Sequence, residues 1–142
     1  MFNRLQQFRM SQLRIQLERP TPFYKPGEIL RGVAGWHLDS AQSRMEVRLC
    51  WFSGGQVVPE SRIVETVAFE QPALDDKRPV SFQLPAAPYS FHGARTMLGW
   101  AVEIVALPSN HSARTIFHLS PSGFPVDLFP SDELDEPEPD RP

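Results

Sequence analysis

Four histidines are the side chains of this sequence best suited to acid–base chemistry or metal binding. They are scattered over predicted strands and turns, at His37, His92, His111 and His118. A zinc site needs three or four ligands that converge on one point, and no two of these histidines have the spacing of a ligand pair. We therefore expect histidines at the surface or rim of the fold, and we predict no metal site.

A second kind of site to consider is a nucleophilic set for catalysis. Its candidate residues are Ser109, His111, Ser112 and Asp127. Nucleophilic catalysis needs a serine held beside a base, often at a strained turn between a strand and a helix, and this sequence provides no such turn. The glycines at 32, 35 and 54–55 fall in predicted strands and turns with no helix after them. The sequence therefore predicts neither catalytic residues nor a nucleotide or other cofactor.

Cys50 is the only cysteine, so no intrachain disulfide can form. It lies on the outward side of a predicted strand close to Arg48, and a neighbouring cation lowers the pKa of a thiol. Two interpretations remain open, a thiol activated by Arg48 or an inert thiol under a neighbouring loop. A lone cysteine is typical of a reducing compartment, and residues 1–10 contain no apolar run long enough for a signal peptide or a membrane span. We expect a cytoplasmic protein with no integral membrane segment.

The segment 124–134 gives the strongest indication of binding, because it sets apolar anchors among acidic residues. Segments of this kind dock in grooves or add a strand to a sheet edge. The residues that we expect to contact a protein partner here are Phe124, Leu128, Phe129, Asp132, Glu133 and Leu134. The alternative is that 124–129 folds back over the protein's own sheet.

Charge is distributed unevenly along the chain. The net charge is −3, and residues 127–142 hold seven acidic residues against Arg141, which leaves −6 in the tail and +3 in the rest. A nucleic-acid-binding domain clusters Lys and Arg on one face or along one helix, and this remainder is too weakly positive for that. We expect no nucleic-acid partner.

The elements that must position these residues are strands, because apolar residues alternate with polar ones in several segments and never recur at helical spacing. Seven segments show the pattern, at 13–17, 30–38, 45–51, 63–69, 80–84, 98–106 and 115–119. They predict an all-β protein, an antiparallel immunoglobulin-like β-sandwich of about seven strands. We also expect Trp36, Trp51 and Trp100 to meet in its core. Because Glu65 interrupts the apolar side of 63–69, that segment is predicted to be an edge strand or to contain a bulge.

The last predicted strand, 115–119, has the fewest polar residues to protect its edge, since His118 is the only polar residue after Thr115. An unpaired edge recruits other chains unless it is covered. We therefore expect Ile116 and His118 to contact a partner, with either the segment 124–129 or a second copy of the protein covering the strand. The second case makes a homo-oligomer possible.

Two stretches of the sequence carry a family resemblance. Residues 24–32 read Tyr-Lys-Pro-Gly-Glu-Ile-Leu-Arg-Gly, and a second stretch leads from Phe82 through Leu84-Pro85 and 88–93 to Leu98-Gly99-Trp100. In order and spacing they resemble the arrestin-like superfamily, which includes bacterial sporulation-control proteins. The resemblance covers about residues 11–119 and implies a single arrestin-like β-sandwich. No match exists for the phosphate-sensing lysines of visual arrestins.

The predicted organisation is an N-terminal extension at 1–10, a sandwich at 11–120 and an acidic, proline-rich tail at 121–142 that is disordered from about residue 131. The resemblance implies a non-enzymatic protein-interaction module, an adaptor or regulatory scaffold whose partner is unidentified. The alternative function is a small-ligand-binding or carbohydrate-binding sandwich, which needs exposed aromatic residues on one face. Its candidates are Phe52, Tyr89 and Phe91.

Overall fold

The computed structural model describes residues 11–123 and the backbone of 126–127. Within them lie ten β-strands and no helix. The strands are β1 (Gln12–Leu17), β2 (Phe23–Tyr24), β3 (Ile29–His37), β4 (Arg44–Gly55), β5 (Glu60–Glu70), β6 (Asp75–Gln83), β7 (Phe91–His92), β8 (Thr96–Leu107), β9 (Ser112–Leu119) and β10 (Val126–Asp127). The predicted all-β sandwich is confirmed. The predicted extension at 1–10, the disorder from residue 131 and most of the predicted tail lie outside the described residues.

The strands form two sheets. The smaller sheet has the order β1-β3-β6, and all its pairs are antiparallel. The larger sheet has the order β10-β7-β8-β4-β5, and β9 also pairs with β8. The chain crosses from the smaller to the larger sheet between β6 and β7, in a Pro-rich turn. β7 and β9 share one edge of β8, where β7 pairs with Met97 and Leu98 and β9 pairs with residues 100–105.

The core lies between the sheets and follows the predicted alternation. Trp36 and Trp100 are buried in it, whereas Trp51 is half-buried and packs against it. The ring of Trp36 lies 5.9 Å from that of Phe69, and the ring of Trp100 lies 5.9 Å from that of Phe117. All three tryptophans therefore join one core, and their ring contacts include phenylalanines from the larger sheet.

The two stretches that carry the family resemblance contact one another. Gly27 adopts φ +83°, a conformation that favours glycine, and the turn ends where β3 begins. The Gly27 N–H donates to the Leu84 carbonyl at 3.0 Å, and the Leu84 N–H donates to the Glu28 carbonyl at 2.9 Å. The indole N–H of Trp100 donates to the Pro88 carbonyl at 2.8 Å. Turn residues distant in sequence thus tie β3, β6 and β8 together.

β5 is the edge strand of the larger sheet and contains the predicted irregularity. Leu49 of β4 pairs with Glu65 and Cys50 pairs with Ile63, so Val64 has no partner in the register. A bulge of this kind bends a strand and interrupts its exposed hydrogen-bonding edge. Both parts of the prediction, an edge strand and a bulge, are confirmed.

The end of β9 pairs with β2 and not with Val126–Asp127, the described part of the segment expected there. Val126–Asp127 of that segment pairs with β7 instead. β2 runs parallel to the end of β9, where the His118 N–H donates to the Pro22 carbonyl at 2.9 Å. Further along, the Thr115 hydroxyl donates to the Ile15 carbonyl at 2.9 Å. The pairing of Val126–Asp127 could not be predicted, because a two-residue strand leaves no periodic pattern, and cover of β9 by a second copy of the protein stays a prediction.

Candidate docking cleft on the larger sheet

A cleft opens on the outer face of the larger sheet, where the edge of β8 changes partner. Gly99 lies between the residues of β8 that pair with β7 and those that pair with β9. Ser90, which precedes β7, connects β7 to the end of β9. Its N–H donates to the Leu119 carbonyl at 2.7 Å, and its hydroxyl accepts from the Leu119 N–H at 2.9 Å. The interruption leaves a gap beside Gly99 that no side chain of β8 fills.

The cleft has a volume of about 510 Å³. Its walls come from β4, β7, β8 and β9 and are mainly apolar, and the lining residues are Phe52, Ser90, Phe91, His92, Met97, Leu98, Gly99, Arg114, Ile116 and His118. This size and composition fall within the range of binding sites in proteins, which are usually apolar with a few placed polar groups.

Phe52 forms the floor of the cleft by lying across Gly99. The two residues pair in the register of β4 and β8, and a Cβ atom added to Gly99 would lie 2.5 Å from Cζ of Phe52. Only glycine permits the ring to lie this close to the backbone of the neighbouring strand. The missing side chain at residue 99 therefore sets the orientation of the aromatic ring.

Arg114 is placed over that ring. Its Cζ lies 4.4 Å from the ring centroid of Phe52. Its cross-strand neighbour in β8 is Glu103, yet among the described residues Arg114 forms no ion pair. An exposed ion pair and an exposed cation–π contact contribute similar amounts, each up to about 1 kcal/mol. Placing the guanidinium over Phe52 instead of pairing it with Glu103 therefore changes the free energy of unfolding little.

His118 borders the cleft beside the end of β2. Its ring lies 5.2 Å from that of Phe23 and is half-buried. Burial lowers the pKa of His118 below its ordinary value of 6.5, because the charged imidazolium is poorly solvated there. At neutral pH the side chain is an uncharged part of the wall.

Cys50 lies under this surface, on the outer side of the sheet. Cys50 and its pairing partner Ala101 are buried but belong to no part of the core between the sheets. Burial raises the pKa of the Cys50 thiol, and Glu103 raises it further, which outweighs the lowering by Arg114 and Arg48. The thiol is not activated by Arg48, whose guanidinium pairs with Glu46 at 2.8 Å. Of the two interpretations left open by the sequence, activation by Arg48 is wrong, and Cys50 is a buried thiol with a raised pKa.

The structure gathers residues that the sequence analysis assigned to two different functions. Ile116 and His118, predicted to contact a protein partner, line the same cleft as Phe52 and Phe91, which were candidates for a ligand site. Tyr89 is 41% exposed but does not line the cleft. The six predicted partner contacts at 124, 128, 129 and 132–134 lie outside the described residues.

Sequence reasoning missed the roles of Arg114 and Gly99. Arg114 shares the outward side of β9 with Ile116 and His118, so its place beside them was visible in the alternation. The contact between Arg114 and Phe52 could not be predicted from the alternation, because it depends on the registers of β4, β8 and β9 together. No sequence pattern indicates that Gly99 lies under the ring of Phe52.

The other polar residues singled out in the sequence are not brought together. Nδ1 of His37 lies 2.6 Å from Oδ1 of Asp75, and within the described part of the chain no three His, Cys, Asp or Glu residues form a metal-binding group. Ser109 follows the C-terminal end of β8, whereas Asp127 pairs with His92 beside the N-terminal end of β8. The length of a twelve-residue strand therefore separates the members of the nucleophilic set.

A second cleft, of about 490 Å³, lies on the smaller sheet. Charged residues from β1 and β6, including Arg14, Asp75 and Lys77, form much of its lining. None of the predicted partner-contacting residues lies there. The cleft on the larger sheet is therefore the better candidate for the predicted function.

The fold of this chain is similar to that of a solved structure. The crystal structure of Spo0M, a sporulation control protein from Bacillus subtilis, aligns with a TM-score of 0.57 at 17% sequence identity, over 80% of this chain and 50% of that chain. The fold is arrestin-like. The resemblance of residues 24–32 and 82–102 thus holds at the level of the fold. The chain spans about half the length of the Spo0M chain that it matches.

Other alignments are weaker. A β-glucosidase from Listeria innocua aligns with a TM-score of 0.40 at 10% identity, over 83% of this chain and 16% of that one. Superoxide reductase (neelaredoxin) from Ignicoccus hospitalis aligns with a TM-score of 0.36 at 8% identity, over 79% of this chain and 81% of that one. TM-scores this low carry no argument about the fold or the function of this chain. No family model and no curated protein sequence matches it.

Among the described residues, no helix has the length and apolar character needed to cross a membrane.

Proposed function

We propose that this chain is a non-enzymatic protein-interaction module, an adaptor or regulatory scaffold of the arrestin-like type, that holds a protein partner in the cleft of the larger sheet. The observation that carries the proposal is the contiguous apolar surface formed by Phe52, Phe91, Met97 and Ile116 around one cation. Apolar surface that stays accessible on a folded domain, rimmed by polar groups, typically marks an interaction site. The occupant is an extended peptide segment of the partner.

Two further features support this assignment. The partner sits on a rigid sheet face rather than on a loop, which limits the ordering cost of binding. The nucleophilic set that the sequence offers, with Ser109 and Asp127 at its ends, is spread over the length of β8. The cytoplasmic location that we expect from the single cysteine belongs to this proposal.

The experiment that tests the proposal is selection of a phage-displayed library of random peptides on the purified protein. We expect the selected peptides to bind the cleft, so that Ile116→Asp weakens them at least about tenfold by placing an unpaired charge in an apolar contact. Val33→Asp is the matched control, because Val33 is 42% exposed and Ile116 39% exposed, and Val33 lies on the other sheet. Peptides that bind both variants equally would contradict the proposal.

A second candidate, a small-ligand-binding or carbohydrate-binding sandwich, is favoured by one observation. Phe52 and Phe91 share a cleft whose volume suits a small molecule. A library of mono- and disaccharides distinguishes the two functions. This candidate would be favoured if a sugar binds saturably, if Ile116→Asp abolishes that binding, and if the library yields no peptide.

A further inference from the structure

The position of Arg114 indicates what the cleft selects. The guanidinium of Arg114 lies over the ring of Phe52, with Cζ 4.4 Å from the ring centroid, and its N–H groups lie in its own plane. Among the described residues no carboxylate pairs with Arg114, although Glu103 lies directly across the strand pair. The donors of this cation are therefore available to a ligand in the cleft.

The cation is also preorganised. Phe52 lies across the backbone of Gly99, and Arg114 lies on Phe52. A group that is held before binding loses less conformational freedom when a ligand arrives. Arg114 is exposed, but its contact with Phe52 holds it at the cleft, where it can serve as a recognition group.

The spacing of the wall indicates the form of the ligand. Arg114, Ile116 and His118 follow one another at every second residue on the outer side of β9, and this repeat is about 7 Å. Side chains on one face of an extended peptide repeat at the same distance. A peptide beside β9 can therefore place one side chain at Arg114 and the next on the apolar surface at Ile116.

We infer that Arg114 is the specificity-determining residue of the cleft, and that it selects an extended peptide in which a carboxylate stands two residues from a large apolar side chain. The carboxylate accepts from the guanidinium, and the apolar side chain packs against Ile116 and Met97. This inference rests on the proposed function and names the chemistry of the partner.

The test uses two synthetic peptides with blocked ends, one containing Asp-Ser-Phe and the other Asn-Ser-Phe in the same flanking sequence. Binding is followed by the NMR shifts of the Ile116 methyl groups in the full chain. We expect the Asp peptide to bind about tenfold more tightly, which is the effect of one hydrogen bond to a charged group. Arg114→Lys should remove most of this preference, since an ammonium group lacks the planar fork. Arg31→Lys, an exposed substitution on the other sheet, is the matched control.

Several results would overturn the inference. They are equal binding of the two peptides, a preference that persists in Arg114→Lys, and binding of free phenylacetate as tight as that of the Asp peptide. If library-selected peptides bind the cleft but carry no carboxylate, the inference fails while the proposed function stands. If no selected peptide binds the cleft, both fail.

Discussion

Gly99 and Phe52 show how a missing side chain shapes the candidate site. A methyl group at residue 99 would lie 2.5 Å from Cζ of Phe52, so the ring must lift from β8 and disturb Arg114 above it. We predict that Gly99→Ala destabilises the protein by about 1–3 kcal/mol, the usual cost of overpacking. Urea unfolding measures this loss.

Gly54→Ala is the control for that substitution. A Cβ atom at residue 54 would approach only the flexible side chain of Met97, with Sδ at 3.4 Å. Its unfolding free energy should stay within about 0.5 kcal/mol of the wild-type value. Equal losses in the two variants would show that Phe52 does not lie on Gly99 as described.

His118 gives a pH-dependent prediction. Burial lowers its pKa in the folded protein below the ordinary value of 6.5, so the unfolded chain binds the proton more readily. Stability contributed by the neutral ring is therefore complete above pH 6.5 and decreases as the pH falls through that value. We expect His118→Gln to reduce the loss of stability between pH 7.5 and 5.5, measured by urea unfolding at both pH values. The exposed His111→Gln should leave the loss unchanged, and an unaltered loss in His118→Gln would contradict the prediction.

At the scale of single elements, the bulge in β5 protects an otherwise bare edge. Val64 has no partner in the register, and Ile63 beside it is 52% exposed. Deleting Val64 removes the extra residue and leaves a regular strand edge, with its backbone groups unpaired, that can pair with another chain. We predict that the deletion variant self-associates, so that its light-scattering mass rises with concentration.

Val64→Ala keeps the bulge and shortens the same side chain. It should remain at the wild-type mass over the whole concentration range. A deletion variant that is folded by circular dichroism and equally monodisperse would show that the bulge does not guard the edge.

The long strands could be predicted from the sequence and the short ones could not. Alternation over five or more residues identified β1, β3, β4, β8 and β9, because one face of each packs on the core. β2, β7 and β10 contain two residues each, too few for any period. The candidate site depends on such a short strand, since β7 and the gap beside Gly99 form the cleft. Ile116, His118, Phe52 and Phe91 could therefore be proposed one by one from the sequence, but their meeting in one cleft could not.

At the scale of the whole molecule, both open sides of the sandwich are closed by side chains. On one side the Thr115 hydroxyl of β9 donates to the Ile15 carbonyl of β1. On the other, the guanidinium of Arg78 in β6 lies 5.1 Å from the ring centroid of Phe69 in β5. The partner surface is therefore expected on a sheet face and not between the sheets.

The last prediction concerns the end of the described chain. Val126–Asp127 pairs with β7, whereas β2 guards the end of β9. A chain that ends at Gly123 keeps the turn in which the Gly123 N–H donates to the Ser120 carbonyl. We predict that this truncation accelerates amide exchange at Phe91–His92 about fivefold, the effect of losing one backbone hydrogen bond of ~1 kcal/mol, and leaves 115–119 unchanged.

Phe23→Ala supplies the reciprocal variant. Its ring contacts that of His118, so its loss loosens β2 from β9 without touching the pair formed by β7 and β10. Exchange should then rise at His118, whose N–H donates to the Pro22 carbonyl, and remain slow at Phe91–His92. If truncation instead releases 115–119, the C-terminal segment guards β9 after all, and the arrangement of the short strands described above is wrong.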